Sequence, residues 1–243
     1  IILATGGTIS LLLLQLLRSL AREVRQQQGN QAALAQEHRR LASIARLRDA
    51  YIRGHDGHTI FALVPTEILD LSNSQFGYIT ELSYRPDGEP VQRFLALSDI
   101  AWDEASRQQY AGAAAGRMQF VGLNGLYAAA IDSGAAVIAN DPAHHPRHND
   151  RIPAGHPPMQ AFLGLPIFRD GRIVGSVGLA NRRGGYDQAL ADYLQPVVDS
   201  CSQLIDALKD QQALQESENQ LRQLCNSLQQ LIWTATPDTR CDF

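Results

Sequence analysis

The sequence predicts an α+β domain in which helices cover a mainly antiparallel sheet, with a long helix before it and another after it. The sheet is predicted from two β-hairpins, each made of two β-prone segments separated by turn residues. The paired segments are Phe76–Tyr84 with Val91–Leu97, and Phe162–Arg169 with Arg172–Asn181. From Gln188 onward, apolar residues recur at spacings of three and four, which predicts one long helix.

The remaining elements follow from local signals. A helix is predicted to start at Val64-Pro65 because proline favours the first turn of a helix. Residues 103–115 are compatible with either a helix or a loop. Two short strands and one helix complete the domain, at Met118–Val121, Ala136–Ala139 and Leu123–Ser133, and Gly134 closes the helix.

Composition limits the possible partners. The chain has 243 residues, of which 44% are hydrophobic and 19% charged, so it has enough apolar surface for a core. Its net charge of -4 offers no cationic field for a polyanion, and we expect no nucleic-acid partner. The three cysteines, Cys201, Cys225 and Cys241, lack CxxC spacing and indicate a reducing compartment.

The N-terminal segment predicts a membrane attachment. Residues 1–17 carry no charge, and Arg18, Arg22 and Arg25 follow them. This pattern is typical of the end of a transmembrane helix with its cytoplasmic flank, which places the domain at the cytoplasmic face of the inner membrane. An ordinary amphipathic helix or a signal-peptide core is the alternative. Because the chain starts at Ile1 and stops after Trp233 inside an unfinished element, we expect an excerpt of a larger protein.

Both terminal helices carry a heptad-like stripe. Leu194 to Leu208 keep one register, and Leu214 to Leu231 keep it again after a one-residue shift. A shift between heptad runs changes the local winding of a coiled coil. The same helix of a second subunit is the simplest partner for this stripe, so we expect a parallel homodimer.

Three motifs near the second hairpin carry a resemblance to a known family. They are Asn140-Asp141-Pro142, Gly155-His156-Pro157-Pro158 and Asn181-Arg182-Arg183-Gly184-Gly185-Tyr186. With the order of elements, the second-hairpin sequences Phe162–Ile167, Gly171–Gly175 and Gly178–Arg182 make residues 40–208 resemble the GAF domain family. The three motifs make this region similar in particular to GAF domains of bacterial membrane-anchored sensor histidine kinases and diguanylate cyclases. The segment from Leu221 to Phe243 resembles the start of a PAS domain.

The resemblance divides the chain into five parts. They are the end of a transmembrane helix at 1–17, a linker helix at 18–39, the GAF-like domain at 40–208, a coiled-coil signalling helix at 209–231 and a truncated PAS-like start at 232–243. The resemblance also implies a pocket on one face of the sheet, roofed by the segments between the third strand and the second hairpin. The loop Asn140–Met159 lies there, and loops of that length in compact domains are usually functional or disordered.

Six residues near this pocket are candidate ligand contacts: Trp102, Asn140, Asp141, His156, Phe162 and Asn181. Each also has a structural interpretation. Asn140 and Asp141 are suited to cap backbone amides of the loop, His156 to bond to backbone, and Trp102 and Phe162 to fill the core.

The sequence does not identify the ligand or a cofactor. The loop histidines match no standard metal site, so no metal is predicted. Covalent bilin attachment inside the domain is excluded because no cysteine precedes Cys201. Cyclic-nucleotide binding is disfavoured because the residues after Asn181 depart from the motif associated with it.

The predicted function is that of a non-catalytic sensory module, which binds a small ligand and passes a conformational signal through a dimeric helix. The sequence contains no phosphate-binding loop, no HExxH motif and no recognisable Ser/His/Asp arrangement. The alternative is a structural dimerisation and spacer domain without a ligand.

Overall fold

The computed structural model describes residues 2–53, 57–98, 118–148, 158–227, 234–235 and 241–242. Its helices are α1 (Ile2–Ile52), α2 (Gly57–Ser72), α3 (Leu126–Ser133) and α4 (Gln188–Ser227), with a 3₁₀ turn at Pro142–His144. Its strands are β1 (Phe76–Tyr84), β2 (Pro90–Leu97), β3 (Gln119–Val121), β4 (Val137–Ala139), β5 (Phe162–Arg169), β6 (Arg172–Ala180), β7 (Thr234–Ala235) and β8 (Cys241–Asp242). The predicted α+β class with long terminal helices is confirmed.

Six strands form one antiparallel sheet in the order β3-β2-β1-β6-β5-β4. Both predicted hairpins are present, and they meet where β1 pairs with β6. Asp170 and Gly171 have φ angles of 47° and 73°, the left-handed conformation that a two-residue hairpin turn requires. Strands β7 and β8 pair with each other in a separate ladder.

Side chains alternate between the two faces of the sheet, and each face has its own core. Leu163, Leu165 and Ile167 of β5 point to the face covered by α1, α2 and α4, which we call the helix-side core. Phe162 points to the opposite face, where Ala130 of α3 approaches Gly164. The sequence runs of β5 and β6 are mostly apolar because both faces of the central parts of these strands are buried.

Helix α2 begins earlier than the sequence predicts. The Val64-Pro65 pair suggests a helix start, but α2 begins at Gly57 and continues through Pro65. A proline inside a helix removes one backbone hydrogen bond and costs about 3 kcal/mol. Ile60, Phe61 and Val64 are all buried in the helix-side core, and their burial offsets that cost. Similarly, α3 begins at Leu126, three residues after the predicted start.

The terminal helices extend beyond the region in which they are packed. Helix α1 is continuous across Gly29, and its Ser43, Leu47 and Ala50 are buried at spacings of four and three. Helix α4 is buried through Ile205 and carries exposed leucines further along. Within the described part of the chain, no helix combines the length and hydropathy needed to cross a membrane. Residues 103–115 lie outside the described residues.

Strand β6 lies so close to β1 that one glycine has no room for a side chain. A Cβ atom on Gly175 would lie 2.0 Å from the carbonyl oxygen of Thr80. We therefore expect Gly175→Ala to lower the free energy of unfolding by about 3 kcal/mol, the upper end for overpacking. Urea denaturation followed by circular dichroism measures the change.

Gly29→Ala is the control, because nothing lies within 4 Å of a Cβ atom at that helical position. It should not lower the free energy of unfolding, because alanine is the better helix former. Equal midpoints for both variants would show that β1 and β6 are not packed this closely.

Candidate functional site

The face of the sheet opposite the helix-side core carries a group of aromatic rings, which we call the aromatic cluster. Its members are Tyr78, Phe94, Phe120, Tyr127 and Phe162. Neighbouring ring centroids lie 5.2 to 6.3 Å apart, within the range of favourable aromatic pairs. Tyr78, Phe94 and Phe162 are buried, whereas Phe120 is 41% exposed at the edge of the cluster. The cluster therefore joins a buried floor to an open rim.

Tyr78 holds its place because β6 has a glycine beneath it. A Cβ atom on Gly178 would lie 2.1 Å from the Tyr78 ring, so the ring lies directly on the backbone of β6. The Tyr78 hydroxyl donates to the carbonyl of Tyr127 at 3.1 Å. Burial raises the pKa of Tyr78 well above its usual value, so the hydroxyl keeps its proton and remains a donor.

Three buried polar side chains, which we call the polar trio, lie on the same face: Thr80, Gln92 and Ser176. The Thr80 and Ser176 hydroxyls are 2.9 Å apart, and Gln92 Nε2 lies 3.0 Å from each of them. Gln92 Nε2 also lies 3.1 Å from the Tyr127 carbonyl. An amide nitrogen has two hydrogens, so three acceptors compete for two donors. The trio therefore has alternative hydrogen-bonding arrangements of similar geometry.

An open depression of about 460 Å³ lies beside the aromatic cluster. Its described lining residues are Phe120, Val121, Gly122, Asn124, Gly125, Tyr127, Arg147 and His148. Arg147 also pairs with Asp132. The depression thus combines aromatic surface with polar groups, which is the usual chemistry of a small-molecule site.

The sequence-predicted site residues fall in different places. Phe162 belongs to the aromatic cluster and is buried. Trp102 and His156 lie outside the described residues. Asn140 and Asn181 instead line a second open depression of about 460 Å³, at the end of β6.

Asn140 pairs with the backbone just before α4. Its Oδ1 accepts from the Tyr186 N–H at 2.8 Å, and its Nδ2 donates to the Tyr186 carbonyl at 3.0 Å. The next residue, Asp187, accepts from the Leu190 N–H at 2.8 Å and so caps the helix. Asn140 therefore fixes the start of α4, a structural role on a different backbone segment from the loop that the sequence suggested.

Asn181 acts on the segment before β5. Its Oδ1 accepts from the Gln160 N–H at 2.8 Å, and its Nδ2 donates to the Pro158 carbonyl at 3.0 Å. Its φ of 61° is a left-handed conformation that asparagine tolerates better than most residues. Arg182 then donates to the carbonyls of Ser72 and Gly185 at 3.1 and 2.6 Å.

Asp141 is exposed and accepts from the His144 ring nitrogen at 2.8 Å, which closes the 3₁₀ turn at the start of the loop. Among the residues that the structure describes, no group of three or more histidine, cysteine or acidic residues is placed to hold a metal ion.

Tyr186 is anchored through its hydroxyl as well as its backbone. The hydroxyl lies 2.8 Å from the Ser74 hydroxyl. Burial raises the pKa of Tyr186 to about 12, so the group is neutral across the physiological range. The end of α2 and the start of α4 are thereby tied together.

Sequence reasoning missed most of this site. The polar trio and four of the aromatic rings were not among the predicted contacts. A signal was present, because Thr80, Gln92 and Ser176 are polar residues within predicted strands. Thr80 and Ser176 meet through the pairing of β1 with β6, which was not predicted from the sequence.

The described elements form an antiparallel six-stranded sheet with α1, α2 and α4 on one face and α3 on the other, which is the architecture of an α+β domain. The GAF domain model matches residues 54–206, more than half of the chain, and the chain belongs to that family. GAF domains are a regulatory and sensory fold found in signalling proteins, and they are generally non-catalytic.

Solved structures share the fold at low sequence identity. The GAF domain from a phosphoenolpyruvate-protein phosphotransferase of Coxiella burnetii is 13% identical, with a TM-score of 0.58 over 72% of this chain and 98% of that one. The nlh2 GAF domain of A. Aeolicus in an inactive state is 8% identical, with a TM-score of 0.51 over 70% and 98%. No curated protein matches the sequence.

An enzyme appears among the weaker structural matches. The free methionine-R-sulfoxide reductase of Neisseria meningitidis is 13% identical, with a TM-score of 0.49 over 69% of this chain and 88% of that one. A likeness at this level carries no argument about activity.

The structural role of Asn140 has a direct test. Asn140→Ala removes both hydrogen bonds to Tyr186, and we expect it to lower the free energy of unfolding by about 1–2 kcal/mol. Asp141→Ala is the matched control, because its side chain is solvent-exposed and should change stability by less than about 0.5 kcal/mol. Thermal and urea denaturation measure both. An Asn140→Ala protein as stable as the unsubstituted one would contradict this structural role.

Proposed function

We propose that this chain is a non-catalytic sensory module of a larger signal-transduction protein, which binds a small ligand and passes a conformational signal through α4 to a C-terminal output domain. The observation that carries the proposal is the aromatic cluster beside the polar trio. Aromatic walls supply most of the contact area for a ligand, and a few fixed polar groups give orientation. Gln92 Nε2 has three acceptors for its two hydrogens, and one acceptor belongs to Tyr127, which also lines the depression, so a ligand there can change which acceptors Gln92 bonds.

The placement of the thiols supports a binding function over thiol catalysis. Cys201 is the first cysteine of the chain, and it is buried in the helix-side core, on the other face of the sheet. Burial raises its pKa to about 12, which leaves the thiol protonated and a poor nucleophile. Cys225 is exposed on the last turns of α4, beyond the domain.

The exposed leucines support a homodimer through the terminal helices. On α4, Leu214, Leu221 and Leu224 follow spacings of seven and three and are 60–64% exposed. On α1, the exposed apolar residues include Leu16, Leu17, Leu20, Val24, Leu34 and Leu41. Stripes at heptad spacing bury their leucines against a second helix. The proposed arrangement is a parallel dimer in which α4 transmits the signal.

We also propose that the larger protein is membrane-anchored and has several domains. The uncharged N-terminal residues followed by Arg18, Arg22 and Arg25 support a membrane anchor at the cytoplasmic face of the inner membrane. The C-terminal resemblance to a PAS domain supports a multidomain sensor of the histidine kinase or diguanylate cyclase type.

The alternative function is a structural spacer that dimerises and binds no ligand. The favouring observation is that Asn140 and Asn181, two of the six candidate contacts, use their side-chain amides on backbone partners. A spacer needs these contacts for rigidity alone. The two functions differ in whether the aromatic cluster takes up a small molecule.

Ligand binding is tested at the rim of the aromatic cluster. We expect native mass spectrometry of the whole chain to show a retained small-molecule mass, and the fluorescent probe anilinonaphthalene sulfonate to bind. Phe120→Ala removes a partly exposed wall and should weaken binding of the probe by about tenfold.

Tyr84→Ala is the control for this experiment, because Tyr84 is an exposed aromatic residue at the far end of β1. It should leave binding unchanged. Equal binding by both variants, together with no retained mass, would favour the spacer.

The dimer is tested on α4. Leu221→Glu places a charge in the stripe, and we expect the dissociation constant of the dimer to rise by about a hundredfold. Gln223→Glu makes the same charge change beside the stripe and should leave the dimer intact. Light scattering coupled to size-exclusion chromatography measures both masses, and an unchanged mass for Leu221→Glu would contradict a dimer through this stripe.

A further inference from the structure

One carboxylate is buried between the sheet and α4. Glu81 of β1 has a side chain only 3% exposed, on the helix side of the sheet. Its Oε1 lies 2.6 Å from Lys209 Nζ, and its Oε2 accepts from Arg93 Nε at 3.0 Å. A buried carboxylate depends on such partners, because an unpaired charge in the protein interior is costly. Glu81 therefore links β1, β2 and α4 at one point.

This link lies where α4 leaves the domain. Among the α4 side chains that the structure describes, Leu204 and Ile205 are the core residues nearest this end, and the family match ends at residue 206. Beyond them, two ion pairs connect the helix to the sheet: Asp206 with Arg169, and Lys209 with Glu81. Lys209 thus holds the first turn of α4 beyond the core, just before the register shift between the heptad runs.

The residue next to Glu81 belongs to the polar trio. Thr80 and Glu81 are neighbours on β1 and point to opposite faces, and Gln92 and Arg93 do the same on β2. Gln92 Nε2 lies 3.0 Å from Thr80 Oγ1 on one face, while Arg93 pairs with Glu81 on the other. A register shift between Ile79 and Thr80 adds an irregularity at this position of the β1–β2 ladder.

We propose that Glu81 is a positioning residue which couples the polar trio to the exit of α4. A ligand that rearranges the hydrogen bonds of Thr80 and Gln92 shifts the β1–β2 ladder, and this shift changes the Glu81–Lys209 ion pair. The first turn of α4 beyond the core is held when the pair is closed and released when it is open. The proposal rests on the ligand-binding function proposed above.

Coupling of this kind is reciprocal. If the trio and the ion pair bias the same two-state element, a change at either one alters the equilibrium at the other. The coupling is therefore measurable without knowing the ligand, from variants at both ends.

The ion pair is tested first, by hydrogen exchange of the whole chain. Lys209→Gln removes the ammonium, and we expect amides of residues 207–213 to exchange about fivefold faster, since the pair is partly exposed. Amides of residues 194–202 should not change. Lys209→Arg keeps the charge and should keep the protection. Arg222→Gln makes the same charge change further along α4, and it should have no effect on residues 207–213.

The coupling is tested in combination. Thr80→Val and Ser176→Ala each remove one hydroxyl from the trio, and two variants are used in case one fails to fold. Each should speed exchange of residues 207–213 by about fivefold in the native background. In the Lys209→Gln background the same substitutions should add nothing, because the link to α4 is already broken.

Equal effects in both backgrounds, or no effect on residues 207–213 in either, would overturn the coupling. If no ligand is retained but the effects are still non-additive, the ligand-binding function is contradicted and the coupling is supported. A retained ligand together with additive effects would support the ligand-binding function and overturn the coupling.

Discussion

Strand β6 carries two glycines whose missing side chains make room for β1. Thr80 places its carbonyl oxygen against Gly175, and Tyr78 lays its ring on Gly178. Because β1 and β6 are the central strands, this close approach fixes the floor of the site and the position of the strand that carries Glu81. The aromatic cluster, the polar trio and the ion pair to α4 all depend on it.

Both ends of the packed part of α4 are held by polar contacts from the sheet side. At its start, Asn140 pairs with both backbone groups of Tyr186, and Asp187 caps the first turn. At its exit, Glu81 binds Lys209. Apolar packing between these points resists sliding, whereas the ion pair at the exit is partly exposed on its Lys209 side and is therefore weaker and more sensitive to salt. The proposed signal is therefore expected to pass along α4 through the end that Glu81 and Lys209 hold, and not through its start.

The matched structures share the fold of this chain but little of its sequence. At 8–13% identity, the shared feature is the fold, and the side chains that form a site are free to differ. The site of this chain therefore follows from its own side chains and not from those of the matched structures. A buried polar trio beside aromatic rings distinguishes this face of the sheet from the helix side, where the buried polar group of β1 is the carboxylate of Glu81.

The sequence by itself determined the elements and their order, because turn residues such as Asp170-Gly171 and the apolar periodicity of α4 act locally. It failed at the start of α2, where burial of Ile60 and Val64 outweighs the signal at Pro65. Phe162 was among the candidate contacts predicted from the sequence, and it belongs to the aromatic cluster. Only the tertiary structure decided that Thr80 meets Ser176 and that Glu81 meets Lys209, because these partners are distant in sequence and come together through strand pairing and helix packing.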